Sequence, residues 1–216
     1  MKVFIIGAAG GIGNRLSSLL HARGDAVSGM HRNPEQASKI TDTGATAVLG
    51  DLIHNSTEEL AELFRGHNAI VFSAGAHGTG QENTTLIDGA GLRKAADAAS
   101  AANVSRFILV SAFPESSRGE NTTENFEHYM KVKKSADVYL SHTDLDWVIV
   151  RPGVLQDEAG DGLVTAGLAI NYGNVARDNV AAFIDEALHQ PQPSKIIVEL
   201  TDGSTPVAEA VERLIK

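Results

Sequence analysis

The sequence contains no cysteine, few aromatic residues and no long apolar run. Without cysteine, disulfide bonds, thiolate metal sites and cysteine nucleophiles are excluded. Eight histidines are present, but none has the H-x-x-x-H or H-x-H spacing that would bring two imidazoles to one metal ion, so no metal site is expected. The apolar run at residues 3–6 is too short for a signal peptide or a membrane span, which indicates a cytoplasmic protein.

Basic residues are also scarce, with 18 Lys and Arg against 27 Asp and Glu, a net charge of −9. No run of Lys or Arg offsets this charge locally, so nucleic acid and membrane surfaces are excluded as expected partners, and a small-molecule substrate is favoured. Hydrophobic residues make up 43% of the chain and charged residues 21%, which is typical of a globular domain. The 216 residues fit one domain, and the oligomeric state is left open.

Short apolar runs alternate with segments of helical periodicity, the pattern of a parallel sheet with crossover helices. The prediction is an α/β protein: a Rossmann-type, doubly wound parallel sheet built from residues 1–152, with a small C-terminal lobe at 153–216 in the same domain. That lobe begins with a long irregular stretch to Gly173, followed by a helix, a strand and a last helix at 206–215. The six core strands are predicted at residues 2–7, 26–30, 45–49, 69–73, 106–110 and 145–151.

A glycine-rich turn follows the first predicted strand and opens the first helix. Its spacing, G-x-x-G-x-x-G, is a variant of the dinucleotide-binding fingerprint. Bare backbone N–H groups at a helix N-terminus can bind a diphosphate, and glycine permits the tight turn and close helix packing that this requires. The sequence therefore predicts cofactor-binding residues at Gly7, Ala9, Gly10, Gly11, Ile12 and Gly13.

The end of the second strand predicts which nicotinamide cofactor is bound. An acidic residue at this point would bind the 2′-hydroxyl of NAD, but the chain has His31 and Arg32. A guanidinium can pair with the 2′-phosphate of NADP, so NADP(H) is preferred over NAD(H). After the third strand, Asp51 and Leu52 are predicted to border the adenine, although Asp51 can equally cap the following helix.

Tyr129 and Lys133 are four residues apart in a segment of helical periodicity, which places them on one helical face. A nearby positive charge lowers the pKa of a phenol. Such a tyrosine can transfer the proton that accompanies hydride transfer to or from a carbonyl. The alternative is an ordinary amphipathic helix, with Tyr129 packed and Lys133 in water.

With these residues in place, the sequence resembles the short-chain dehydrogenase/reductase superfamily, specifically its atypical NAD(P)H-binding members related to nucleotide-sugar epimerases. Other motifs extend the resemblance over essentially the whole chain: Gly50-Asp51-Leu52, Ser73-Ala74-Gly75, the LDW-x-I-x-RPG-like segment 145–153 and the R-x-DVA-like segment 177–181. The resemblance implies that Ser73, Ala74 and Gly75 line the ribose and nicotinamide. It also implies that Tyr129 and Lys133 are the catalytic pair, and that the turn at Arg151 flanks the pocket.

One departure from the family pattern concerns the catalytic hydroxyl. Family enzymes carry Ser or Thr directly after the first serine that follows the fifth strand, whereas here Ser111 is followed by Ala112. Ser111 itself is the candidate replacement, as a donor to the substrate oxygen, and Ser116 and Ser117 are weaker candidates.

The predicted function is an NADP(H)-dependent oxidoreductase. Carboxylates near the expected pocket favour a small, weakly charged carbonyl or alcohol over an anionic nucleotide sugar; they are Glu115, Glu120, Glu124, Asp157, Glu158 and Asp161. Two alternatives stay open: an epimerase or dehydratase that retains its cofactor, and a non-catalytic NADP(H) sensor.

Overall fold

A computed structural model describes residues 1–76, 78–117, 122–190 and 193–214. Its centre is a nine-stranded sheet in the order β11-β8-β10-β6-β5-β4-β1-β2-β3. Strands β1 to β6 and β10 are parallel, whereas β8 runs antiparallel to β10 and β11. The strands are β1 Lys2–Ile6, β2 Ala26–His31, β3 Thr46–Leu49, β4 Ala69–Phe72, β5 Arg106–Val110, β6 Asp146–Pro152, β7 Val154–Gln156, β8 Leu163–Gly167, β9 Asn174–Ala176, β10 Ile196–Asp202 and β11 Thr205–Pro206.

Helices cover both faces of this sheet. Two helices begin at a capping signal in the sequence: Ser56 and Glu59 form a capping box at α3, and Thr123 caps α6. A π-helical segment, Thr85–Gly91, joins α4 to α5. The helices are α1 Gly11–Arg23, α2 Ala37–Thr41, α3 Thr57–Phe64, α4 Gln81–Thr84, α5 Leu92–Ala101, α6 Glu124–Ser141, α7 Arg177–His189 and α8 Val207–Glu212.

The side chains of β1 show why the central strands are apolar throughout. Val3 and Ile5 pack in the core beneath α1, α7 and α8, whereas Phe4 and Ile6 pack in the core beneath α3, α5 and α6. Because successive strand residues point to opposite faces, a strand covered on both sides needs an apolar residue at every position. The α/β fold with a doubly wound, largely parallel sheet is confirmed.

The C-terminal segment differs from its prediction in one respect. The stretch to Gly173 is predicted to be irregular, but it contains β7 and β8, and β9 follows directly after it. Strands β8, β10 and β11 extend the central sheet, and β7 pairs with β9 in a separate two-stranded sheet. The strands were missed because β7 and β9 are three residues long and glycines interrupt the alternation around them. The predicted last helix ends at Glu212, and residues 215 and 216 lie outside the described residues.

The strand order indicates where a ligand would bind. The chain runs outward from β1 to β2 and β3 on one side, and to β4, β5 and β6 on the other. The segments after β1 and β4 therefore diverge from a topological switch point, where open α/β sheets bind ligands. None of the helices in the described ranges is long and apolar enough to cross a bilayer.

Candidate cofactor and active site

Two adjoining cavities lie at the carboxyl ends of the strands, at the switch point. The first, of about 550 Å³, is here called the Tyr129 cavity, and the second, of about 430 Å³, the Arg32 cavity, each after a residue that lines it. Both are lined by the four residues Gly10, Ser73, Ala74 and Gly75. The ends of β1 and β4 thus form the shared wall of one continuous cleft with two compartments.

The glycine turn has the geometry that its sequence predicts. Gly7 has a φ of 88°, and its carbonyl oxygen accepts a hydrogen bond from the Gly10 N–H at 3.0 Å. A Cβ at Gly13 would lie 2.4 Å from the same oxygen, so α1 can pack this closely only with glycine there. Among the described residues, no side chain caps α1, which leaves its first N–H groups available to an anion.

The predicted cofactor residues of this turn divide between the two compartments. Gly7 and Ala9 line the Arg32 cavity, Gly11 and Ile12 line the Tyr129 cavity, and Gly10 lines both. Gly13 is buried and lines neither cavity in the described part of the chain, so its place in the site is the close packing of α1.

The Arg32 cavity contains the residues predicted to bind the adenosine half of the cofactor. Arg32 is exposed, and Asp51 and Leu52, which follow β3, line the same cavity. The carboxylate of Asp51 accepts a hydrogen bond from the Ile53 N–H at 2.7 Å and contacts His54 Nδ1 at 2.9 Å. The alternative that Asp51 caps a helix is wrong, because Ser56 caps α3.

In the Tyr129 cavity, α6 positions Tyr129 and Lys133 together, as predicted from their spacing. Lys133 is not in water: it is buried, and its Nζ donates a hydrogen bond to the Val110 carbonyl at 2.9 Å. The same Nζ is 3.5 Å from Asp88 Oδ1. The ammonium is therefore held at the floor of the cavity, between the end of β5 and the π-helical segment.

The expectation of a lowered tyrosine pKa is wrong for the chain itself. Burial raises the pKa of Tyr129, and this effect outweighs the opposing charge of Lys133. The carboxylates of Asp88 and Asp137 add to the increase, because negative charge disfavours a phenolate. The tyrosine is thus maintained as a neutral phenol, the form that can donate a proton.

Asp88 is a site residue that the sequence did not reveal. Its side chain is buried in the π-helical segment, lines the Tyr129 cavity and accepts a hydrogen bond through Oδ2 from the Ala76 N–H at 3.0 Å. Its Oδ1 has no hydrogen-bond partner within the described ranges. This oxygen instead faces the Lys133 ammonium at 3.5 Å, so the buried carboxylate is paired with a cation.

Ser111 lines the cavity, but its hydroxyl is not free to act as predicted. It donates a hydrogen bond to Asp137 Oδ1 at 2.5 Å, and Asp137 also pairs with Arg151 at 2.9 Å. A hydroxyl has one proton, so Ser111 offers only lone pairs to the cavity while Asp137 is ionised. In this structure the donor capacity that was predicted for Ser111 toward a substrate is therefore used within the protein. Arg151 lies in β6, and its ion pair with Asp137 joins that strand to α6.

The acidic residues that were expected to surround the opening do not line either cavity in the structure's described ranges. Asp157 instead pairs with Arg177, and Asp161 accepts a hydrogen bond from the Leu163 N–H. Glu120 lies outside the described residues. Other members of the cavity wall were also missed by sequence reasoning, because they come from loops and helix ends without a motif; they include Thr84, Thr123, Asn125, Phe126 and Leu155. Arg177 begins the R-x-DVA-like segment, but that motif did not indicate that its side chain reaches this cavity.

A second group of titratable side chains lies at the opposite edge of the sheet. Asp25, Asp185 and His189 bring three potential metal-ligand atoms within 4.8 Å of one another. The two carboxylates already pair with cations, Asp25 with the N-terminal ammonium and Asp185 with Arg23. This group is explained as an ion-pair network that joins α7 to the start of β2.

The cleft fits a nicotinamide dinucleotide. Two compartments meet at the N-terminus of α1, where a diphosphate between two nucleosides would bind. Arg32, Asp51 and Leu52 would hold the adenosine half, and Ser73, Ala74, Gly75 and Lys133 the nicotinamide half.

Comparisons with known proteins agree with this geometry. Residues 7–191 match the model of an NAD(P)H-binding family. The chain is 41% identical over 216 residues to an uncharacterized sugar epimerase of Bacillus subtilis, with 99% of this chain and 100% of that protein covered. It is also similar to the structure of a putative NAD-dependent epimerase/dehydratase from Bacillus halodurans, with 32% identity, a TM-score of 0.89 and 99% of each chain covered.

A further similar structure is that of ChuY, an anaerobilin reductase from Escherichia coli, with 25% identity and a TM-score of 0.80 over 94% of this chain and 97% of that one. The resemblance to short-chain dehydrogenases/reductases of the epimerase-related type is thus confirmed. The family model covers most of the chain, including the glycine turn and the Tyr129 cavity, and we conclude that this protein belongs to the NAD(P)H-binding family.

Proposed function

We propose that the protein is an NADPH-dependent reductase that transfers hydride to a carbonyl or comparable unsaturated group, with Tyr129 as the proton donor. The observation that carries the proposal is the Tyr129 cavity. It brings a neutral phenol and a buried ammonium to the compartment next to the glycine turn, within one continuous cleft. The bound nicotinamide supplies the hydride, and the residues of the chain provide the proton and the orientation.

Three polar residues of the Tyr129 cavity have a role in this proposal. The phenol of Tyr129 donates a proton to the oxygen that gains negative charge as hydride arrives. Lys133, fixed by the Val110 carbonyl, directs its remaining N–H groups toward the ribose and lowers the cost of the transient phenolate. Ser111 accepts a hydrogen bond from a hydroxyl or N–H of the substrate, because its own hydroxyl proton is used in the hydrogen bond that it donates to Asp137.

The substrate is proposed to be a compact, weakly charged molecule with an apolar face. Ile12, Val110, Phe126 and Leu155 supply apolar surface in the Tyr129 cavity, and Thr84, Thr123 and Asn125 supply neutral polar groups. The similarity to an anaerobilin reductase supports reduction as the reaction class. The test is a panel of aldehydes, ketones, quinones and linear tetrapyrroles, with NADPH consumption followed by its absorbance; loss of NADPH in none of these classes would reject the reductase.

Replacement of Arg32 by alanine is expected to weaken NADPH binding by about 10- to 100-fold and to leave NADH binding within about twofold, because the lost contact is a charge-assisted bond to the 2′-phosphate. Titration calorimetry with both nucleotides on both proteins measures this. Arg65→Ala, on an exposed residue paired with Glu62 outside both cavities, serves as the control. Equal affinity of the wild type for NADPH and NADH would contradict the proposed preference.

A second candidate is an epimerase that oxidises and re-reduces its substrate without net consumption of cofactor. The 41% identity to a protein described as an uncharacterized sugar epimerase favours it. Two observations would distinguish it from a reductase: nicotinamide cofactor that stays bound through purification, and conversion of a sugar without a net change in NADPH absorbance.

A further inference from the structure

Arg177 is the first residue of α7, yet its side chain reaches the glycine turn at the start of α1. It lines the Tyr129 cavity together with Gly10, Gly11 and Ile12. A Cβ at Gly11 would lie 2.8 Å from Arg177 Cδ, so the aliphatic part of the arginine packs on the bare backbone of this turn. The C-terminal segment thus places a cation beside the N-terminus of α1.

The present partners of this guanidinium hold it weakly. Arg177 Nη1 is 2.9 Å from Asp157 Oδ1, but the side chain of Asp157 is 78% exposed. Its second partner is the Leu155 carbonyl at 3.4 Å, a long hydrogen bond. Ion pairs with a solvent-exposed carboxylate contribute little and exchange readily for a better partner.

The neighbouring arginine is engaged differently. Arg15 Nε donates a hydrogen bond to Asp178 at 2.5 Å, and its Nη1 donates to the Gly11 carbonyl at 2.9 Å. Arg15 is 3.6 Å from Asp157 and does not line either cavity among the described residues. Of the two arginines at this turn, Arg177 is therefore the one that is placed to meet a ligand.

We infer that Arg177 binds the diphosphate of the cofactor and that Asp157 is the counter-ion which the diphosphate displaces. The inference rests on the proposed cofactor-dependent function but not on its preference for NADPH, since NADH carries the same diphosphate. The uncapped N–H groups of α1 bind the anion from one side, and the guanidinium supplies a formal positive charge from the other.

The two-stranded sheet of β7 and β9 positions the residues of this contact. Strand β7 carries Leu155 and leads into Asp157, and β9 leads directly into Arg177. Both strands are three residues long, and together they hold the arginine and its counter-ion over the cleft. Cofactor binding thereby fastens this C-terminal segment, which also lines the Tyr129 cavity through Leu155, against the glycine turn.

The test measures the binding of three nucleotides: NADPH, NADH and 2′-AMP, which has the 2′-phosphate but no diphosphate. Arg177→Ala is expected to weaken NADPH and NADH equally, by about 10- to 100-fold, and to leave 2′-AMP within about twofold. Arg32→Ala should show the complementary pattern, with weaker NADPH and 2′-AMP but unchanged NADH. Arg177→Lys should recover part of the loss, because it keeps the charge without the planar fork.

The Asp157→Asn variant is expected to change nucleotide affinity in the opposite direction to Arg177→Ala. Removal of the competing counter-ion is expected to tighten NADPH and NADH binding by about two- to fivefold. A structural role for the Arg177–Asp157 pair predicts the reverse, since both variants would then lose nucleotide affinity and thermal stability together. Melting temperatures without nucleotide accompany each titration.

Three outcomes would overturn the inference: unchanged NADH affinity in Arg177→Ala, an equal loss of 2′-AMP affinity, or weaker binding in Asp157→Asn. In another outcome, Arg32→Ala changes the affinities for NADPH and NADH by the same factor while Arg177→Ala weakens both. That result would reject the NADPH preference and support the inference. If none of the three nucleotides binds the wild type, the proposed function and the inference both fail.

Discussion

Replacement of Tyr129 by phenylalanine is expected to lower the turnover of a carbonyl substrate by about 10²- to 10⁴-fold, while NADPH affinity changes by no more than about threefold. The substitution removes only the hydroxyl, so the ring still fills its place on α6 and Lys133 keeps its bond to the Val110 carbonyl. The loss should appear in kcat, because proton donation matters only as the reaction proceeds. Steady-state kinetics and nucleotide titration on the same preparations separate the two effects.

The pH dependence follows from the direction of the tyrosine shift. Burial raises the pKa of Tyr129, so the phenol stays protonated through neutral and mildly alkaline pH. Reduction requires this protonated form; its rate is therefore expected to stay level as pH rises and to fall only above the raised pKa. Oxidation of an alcohol requires the phenolate and should be slow at neutral pH.

The matched control is Tyr139→Phe, which removes a hydroxyl from the same helix. Tyr139 donates to Asp97 at 2.6 Å outside the cleft, and its loss should leave turnover unchanged. Normal turnover in Tyr129→Phe would remove the phenol from the mechanism. A reduction rate that already declines at neutral pH would assign the proton to a different group.

Replacement of Asp137 by alanine is expected to lower the free energy of unfolding by about 2–4 kcal/mol, because it leaves Arg151 and Ser111 without their buried partner. This loss lies in the lower part of the range that is typical when one partner of a buried ion pair is removed. Burial raises the pKa of Asp137, which means that the cost of desolvating the carboxylate already offsets part of the energy gained from its partners. For a domain of this size the melting temperature should fall by about 5–15 °C. Chemical denaturation and calorimetry measure both quantities.

The control for Asp137 is Asp97→Ala, which removes a carboxylate whose contact with Tyr139 is exposed. Its cost should be within about 1 kcal/mol, as for other surface interactions. A stability loss as small in Asp137→Ala would show that water replaces the carboxylate without penalty, and that the Ser111–Asp137–Arg151 group does not stabilise the floor of the cleft.

Local patterns in the sequence were sufficient to predict those parts of the site that lie within a single helix, strand or turn. The glycine turn and the pairing of Tyr129 with Lys133 depend on spacing within one element, and strand order then brings the elements together. Each predicted central strand agrees with the structure to within one residue at either end. Arg32 reaches the cleft because it follows β2 directly.

The sequence could not show the polar floor beneath these residues. The bond between Ser111 and Asp137 spans 26 positions, and the approach of Asp88 to Lys133 depends on a π-helical segment that no motif announces. The sign of the tyrosine shift was missed for the same reason. Spacing reveals the neighbouring lysine, but only packing reveals the burial that outweighs it.

The position of β10 in the sheet has a consequence during protein synthesis. Strand β6 is complete at Pro152, but its parallel neighbour β10 begins only at Ile196. At about 5–20 residues per second, the ribosome needs several seconds to deliver that neighbour, and for this time the apolar strand β6 forms an open sheet edge. Chains that stall after α7 are therefore expected to aggregate or bind chaperones, since β10, which covers the edge of β6, has not yet been made.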